Sequence, residues 1–110
     1  MDITAERRQT ATVIGISGRL DLLSAADMKQ RMVDEVTAGQ RRIVVDLSGV
    51  SFLDSSGLGA LIGALKAARL AGGDLYIARP TEQAQMILEL TTLNRVLRPY
   101  ATVEEALAGF

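Results

Sequence analysis

The chain has 110 residues, a net charge of −1, and no cysteine or histidine. That excludes disulfides, thiolate chemistry and any catalytic site built on an imidazole base. The near-neutral charge leaves no basic footprint for nucleic acid, and a 48% hydrophobic content with only 4% aromatics describes one globular domain, 1–110, with an aliphatic core.

Taken in order, residues 3–8 and 11–17 read as two strands. Gln9-Thr10 between them is short enough for a hairpin turn, so they should run antiparallel. Gly18-Arg19-Leu20-Asp21 is expected to break the second strand. Ser24-Ala25-Ala26-Asp27 has the form of a capping box with Asp in place of Glu. Ala25, Met28, Met32 and Val36 follow at helical spacing, and Gly39 closes the helix. Residues 43–47 form a nearly continuous apolar run, the pattern of a strand covered on both faces. Ser48-Gly49-Val50-Ser51 reads as a turn.

A helix is expected from about Ser56 to Ala71, stopped by Gly72-Gly73. Residues 74–78 are the next strand, closed by Arg79-Pro80. Thr81 caps a helix through about Leu90, with Ala84, Ile87 and Leu88 as its apolar stripe. Val96-Leu97 is expected to be a short last strand, and Thr102-Val103-Glu104-Glu105 is a full capping box for a terminal helix carrying Leu107. Strands alternating with helices indicate a parallel sheet with right-handed crossovers. The loops that follow strands then share one rim: Gly18–Ser24, Ser48–Ser56, Arg79–Thr81 and Pro99–Thr102. Sites in such sheets favour this edge.

On that rim Asp54-Ser55-Ser56-Gly57-Leu58-Gly59 places two hydroxyls where a loop becomes a helix. Unpaired N–H groups and a partial positive charge gather there. Three readings stay open: a helix cap formed by one of the serines alongside Asp54, a cradle for an anion, or a serine that becomes an anion by phosphorylation. The nucleotide-binding fingerprints need more glycines and a lysine than this loop has. Asp21, Asp46 and Asp54 fit no calcium-loop spacing, so neither a metal nor a cofactor is expected. The following helix carries an apolar stripe, Leu58, Leu61, Ile62, Leu65 and Ala68, and a separate stripe of small residues, Ala60, Gly63, Ala64, Ala67 and Ala71. The small stripe suits the close approach of another helix, internal or from a partner. Arg19, Arg79 and Arg98 stand near strand ends, placed to pair with Asp21, Asp54 or a phosphate.

Three stretches together resemble the STAS domain family. They are Gly18-Arg19-Leu20-Asp21, then Val45 through Gly59, then Gly72-Gly73-Asp74-Leu75. The family includes the anti-sigma factor antagonists and a domain of sulfate transporters. The resemblance implies an α/β fold: a mixed, mainly parallel sheet of about four to five strands with helices packed mainly on one face. It implies no enzymatic activity and a phosphoacceptor at Ser55, the first serine after Asp54, with Ser56 left as the helix-start residue and Gly57 completing the motif. The partner would be an anti-sigma factor that is itself a serine kinase. Unphosphorylated antagonist binds that kinase and frees the sigma factor; phosphorylated antagonist does not bind, and a cognate phosphatase resets it. The kinase supplies the base, which suits a chain without histidine. Arg19, Asp21, Leu22, Ser24, Leu58, Ala60, Gly63, Ala67 and Arg79 are the expected partner surface. At Arg19 the chain departs from the family, whose members often carry Glu. The acidic N-terminus Met1-Asp2-Ile3-Thr4 shows no signal peptide, and the expectation is a cytoplasmic monomer with no membrane insertion. The alternative implied by the same resemblance is a non-switching scaffold or a transporter-associated regulatory subunit.

Overall fold

A computed structural model describes all residues from Met1 to Phe110. The elements run β1 (Asp2–Arg7), β2 (Thr12–Leu20), α1 (Ala25–Thr37), β3 (Arg42–Leu53), α2 (Ser55–Leu70), β4 (Asp74–Ala78), α3 (Glu82–Leu90), a 3-10 turn (Leu93–Arg95), β5 (Pro99–Tyr100) and α4 (Val103–Ala108). The five strands lie in sequence order, with β1 antiparallel to β2 and every other pair parallel.

That order explains the layers. Each crossover, β2-α1-β3, β3-α2-β4 and β4-α3-β5, steps in the same direction across the sheet. Right-handed crossovers that never reverse put their helices on one face. Strand alternation then sorts the core. Ile14, Ile16, Ile43, Val45, Leu47, Leu75 and Ile77 point towards α1, α2 and α3, where they meet Met28, Met32, Leu58, Leu61, Leu65 and Leu88. Val13, Val44, Tyr76 and Ala78 point the other way and are covered by Val103 and Ala106 of α4, which follows the last strand and is not a crossover. With no reversal of strand order there is no switch-point crevice; the depression on the rim, about 340 Å³ between Arg79–Pro80 and Pro99–Ala101, lies beside β4 and β5 and away from the serine motif.

Two expected breaks are absent. β2 continues through Gly18 to Leu20, and β3 continues through Ser48–Ser51 to Leu53. Pairing slips between Gly15 and Ser17 and again between Gly18 and Arg19. At each slip β3 contributes one residue more than β2, so the turn-like residues are β-bulges within a continuous strand. Gly49 permits the close approach, since a Cβ there would stand 3.0 Å from the Ile16 carbonyl oxygen.

The last strand also moves. Leu97 is a core residue at the end of the 3-10 turn, and β5 is Pro99–Tyr100. Pro99 lacks an N–H and is tolerated because β5 is an edge strand. At the start of α1, Ser24 occupies the cap position without a capping side-chain bond. Its hydroxyl donates to the Arg19 carbonyl (2.8 Å) and accepts from the Asp21 N–H (3.0 Å). It closes the β2–α1 turn instead.

Candidate functional site

β3 pairs with β4 only as far as Asp46, opposite Ala78, then runs on beside β2 to Leu53. The rim is therefore stepped. A β2–β3 tongue rises above the ends of β4 and β5, and the motif sits at its tip. The Asp54 N–H donates to the Leu20 carbonyl at 3.3 Å, joining the end of β3 to the end of β2.

Asp54, in extended conformation, is the N-cap of α2, and its Oδ1 accepts from the Gly57 N–H at 2.9 Å. The cap is thus neither serine. Ser55 is the first helical residue and is exposed, while Ser56 is half-buried. The Ser55 and Ser56 N–H groups belong to the first turn, where a helix leaves donors unpaired. Gly57 is buried against the tongue: a Cβ there would stand 2.4 Å from the Leu20 carbonyl oxygen and 2.8 Å from Leu53 Cδ1.

A residue not singled out in the sequence fixes this geometry. Beyond Ala78 no strand pairs with β3 on the β4 side. The Gln83 side chain of α3 takes that place: its Nε2 donates to the Leu53 carbonyl (2.7 Å) and its Oε1 accepts from the Leu53 N–H (2.9 Å). An amide imitates one residue of a strand. The only signal in the sequence was a glutamine two residues after the Thr81 cap, which is undistinguished. Gln83→Leu should lower the melting temperature, since it orphans two part-buried backbone groups, at about 1–3 kcal/mol each. Thermal unfolding followed by circular dichroism measures this, and an unchanged midpoint would assign the loop's position to other contacts.

On the neighbouring loop Asp21 Oδ1 accepts from the Leu23 N–H (3.1 Å), and Asp21 Oδ2 accepts from Arg19 Nε (3.2 Å). Desolvation pushes the Asp21 carboxyl up, but the Arg19 hydrogen bond, the Leu23 N–H and the Arg19 charge together hold it below its ordinary value. The Arg19 guanidinium also lies 4.4 Å from the centre of the Phe52 ring, a cation–π contact that holds it on the tongue. Leu22 and Leu23 project into solvent, 74% and 92% exposed. The tip thus combines a near-neutral Arg19–Asp21 pair, an apolar loop and the Ser55 hydroxyl.

Arg79 does not join this group. It stands at the end of β4, and Asp46 and Leu53 are seven residues apart on β3, roughly 20 Å of strand. Arg79 Nε donates to Asp46 Oδ1 at 3.2 Å, and its Nη2 makes a shorter bond to Oδ2. Arg98 lies over the Tyr76 ring at 5.6 Å. Burial raises the Asp46 carboxyl; the Arg79 hydrogen bond and the Ser48 N–H more than offset it, leaving the group below its ordinary 3.8. A carboxyl depressed in the folded state stabilises the fold above its unfolded value, and that contribution is lost as pH falls through the folded value. Asp46→Asn should therefore melt lower than wild type at pH 7, and the gap should close as pH drops below 3.8. A gap that persists in acid would mean that the asparagine disturbs packing and not charge.

The stripe of small residues has a neighbour within the chain. Ala60 and Ala64 are buried, Gly63 and Ala67 are half-buried, and the Lys29 side chain of α1 crosses Gly63, its Cε 2.7 Å from where a Cβ would stand. Leu58 is in the core. No helix is long and apolar enough to cross a membrane.

A serial mixed sheet with three helices on one face and a capped, serine-bearing helix start on a projecting tongue is the arrangement of the STAS domain. That family matches residues 2–106, and the chain belongs to it. Similar proteins include the anti-sigma-B factor antagonist of Staphylococcus aureus, 30% identical over 84 residues that cover 76% of this chain and 78% of that one. The crystal structure of an anti-sigma factor antagonist from Mycobacterium paratuberculosis superposes with a TM-score of 0.87 at 25% identity, over 98% of this chain and 92% of that chain. SpoIIAA shares the fold at 22% identity. Its unphosphorylated form gives a TM-score of 0.81 over 96% of this chain and 93% of that one. Its phosphorylated form, as the Bacillus cell fate determinant, gives 0.74 over 97% of each.

Proposed function

We propose that the chain is an anti-sigma factor antagonist whose binding is switched by phosphorylation of Ser55. The observation that carries the proposal is the division of labour at the start of α2. Asp54 caps the helix, so the exposed Ser55 hydroxyl is not committed to the fold. A phosphate there adds about −1.5 to −2 charges beside N–H groups and a helix dipole that tolerate them, so the fold survives. Its surroundings change sharply. Arg19 already serves Asp21, and Asp54 adds a further carboxylate, so the phosphate finds no free cation at the tip and turns a weakly acidic surface strongly acidic.

Unphosphorylated protein binds a kinase-type anti-sigma factor through the tip, with Ser55, Arg19, Asp21, Leu22 and Ser24 at the centre and the exposed side of α2 beside them. Leu58 and Ala60, expected on this surface, are buried, and Gly63 lies under the Lys29 side chain, so these three drop out of it; the half-buried Ala67 borders it. Arg79, lower on the step, lies at the margin. The kinase supplies catalysis, and this chain supplies only the acceptor. The names of the Staphylococcus aureus and Mycobacterium paratuberculosis relatives support the role.

The test is incubation with ATP and each kinase-type anti-sigma factor of the same genome, followed by mass spectrometry. One phosphate on Ser55 is expected, none on the Ser55→Ala variant, and loss of the complex on modification. A complex that forms equally well with and without phosphate would overturn the switch and leave a scaffold.

A further inference from the structure

The end of the sheet opposite Ser55 has a chemistry of its own. The β1–β2 hairpin and the α1–β3 connection meet there around a cavity of about 170 Å³ lined by Arg8, Thr10, Gly39, Gln40, Arg41 and Arg42, with no acidic residue in its wall. Arg8 pairs with the exposed Glu6; Arg41 and Arg42 take part in none of the protein's ion pairs. The buried Thr12 hydroxyl donates to Gln40 Oε1 at 2.8 Å. That bond fixes the amide so that its NH2 group remains as a donor. Gly39, at φ +100, turns the chain between Gln40 and the end of α1.

The wall is thus rich in donors, and it includes two arginines that stand outside every ion pair. Planar guanidinium donors match the oxygens of phosphate and carboxylate groups, and the cavity has room for a small anion. We infer that this pole binds a single oxyanion of the phosphate-monoester class, with Arg41 and Arg42 as its principal ligands and Arg8, Thr10 and Gln40 completing the shell. The site stands at the N-terminal ends of β2 and β3, so it is independent of the Ser55 switch.

The full-length chain, titrated with inorganic phosphate and followed by amide chemical shifts, tests this. Saturable shifts confined to residues 8–11 and 39–42 are expected. Sodium chloride at equal ionic strength should not reproduce them. Arg41→Gln and Arg42→Gln should each weaken binding about tenfold, the worth of a charge-assisted hydrogen bond. Unshifted amides elsewhere check that the variants fold. A second arm uses vesicles of phosphatidic acid in phosphatidylcholine. Co-sedimentation that the double variant loses, without saturable binding of free phosphate, would assign the oxyanion to a lipid headgroup. Shifts that chloride matches or that the glutamine variants retain, together with no vesicle binding, would overturn the inference.

Discussion

Ser55→Asp should fold as wild type and lose its partner. The side chain is exposed at the first position of α2, where a carboxylate interacts favourably with the helix dipole by up to about 1 kcal/mol. The melting temperature should stay level or rise slightly. Binding should fall at least about a hundredfold, because like charge placed in an interface costs several kcal/mol. The comparison is Ser55→Ala, which should bind and resist modification. Calorimetry of both variants against the cognate anti-sigma factor separates the outcomes. An aspartate variant that binds normally would show that charge at this position does not govern the complex. One that unfolds would make Ser55 part of the helix start, which Asp54 already serves.

Gly57→Ala should be the most damaging small substitution in the motif, with Gly59→Ala its opposite. The two glycines stand two apart in one helix turn. At Gly57 a methyl group would stand 2.4 Å from the Leu20 carbonyl oxygen, 2.8 Å from Leu53 Cδ1 and 3.0 Å from Leu20 Cγ. Backbone must move, because the tip of the tongue and the start of α2 are in contact there. Overpacking of this kind costs about 3 kcal/mol, a fall in melting temperature of roughly 10–20 °C. At Gly59 a methyl group would meet nothing within 4 Å, and alanine is the better helix former by about 1 kcal/mol. Gly59→Ala should raise the melting temperature by several degrees. If it also weakens the anti-sigma complex, the exposed side of the first turn of α2 is part of the partner surface. Equal effects of the two substitutions on stability would mean that α2 does not sit on the tongue as described.

Much of this was legible in the chain. The alternation of apolar runs, the caps at Thr81 and Thr102 and the closing glycines located every helix to within a residue or two. Those signals are local: a cap acts over three residues and a helical stripe over two turns. The Ser48–Ser51 stretch misled because a bulge and a turn use the same residue types. Only the pairing of β3 with β2 distinguishes them. The Val96-Leu97 strand failed for a similar reason, since a short apolar pair serves equally as a strand or as a plug beneath a 3-10 turn.

The candidate site divides in the same way. The sequence by itself determined that a serine pair stands at the start of a helix after a strand, and that no imidazole or thiol accompanies it. The sequence offered Asp54 and the serines together as caps; tertiary structure decided that Asp54 takes the role and leaves the Ser55 hydroxyl free, because cap geometry depends on the backbone angles at the end of β3. It decided that Arg19 reaches Asp21 while Arg79 serves Asp46. Rim residues share an edge by topology, but their heights depend on how far each strand runs, and β3 outruns β4 by seven residues. It also decided that Gly57 is required for contact and Gly59 is not. Glycine carries no side chain to reveal its surroundings, and what would occupy that space comes from Leu20, at the end of another strand.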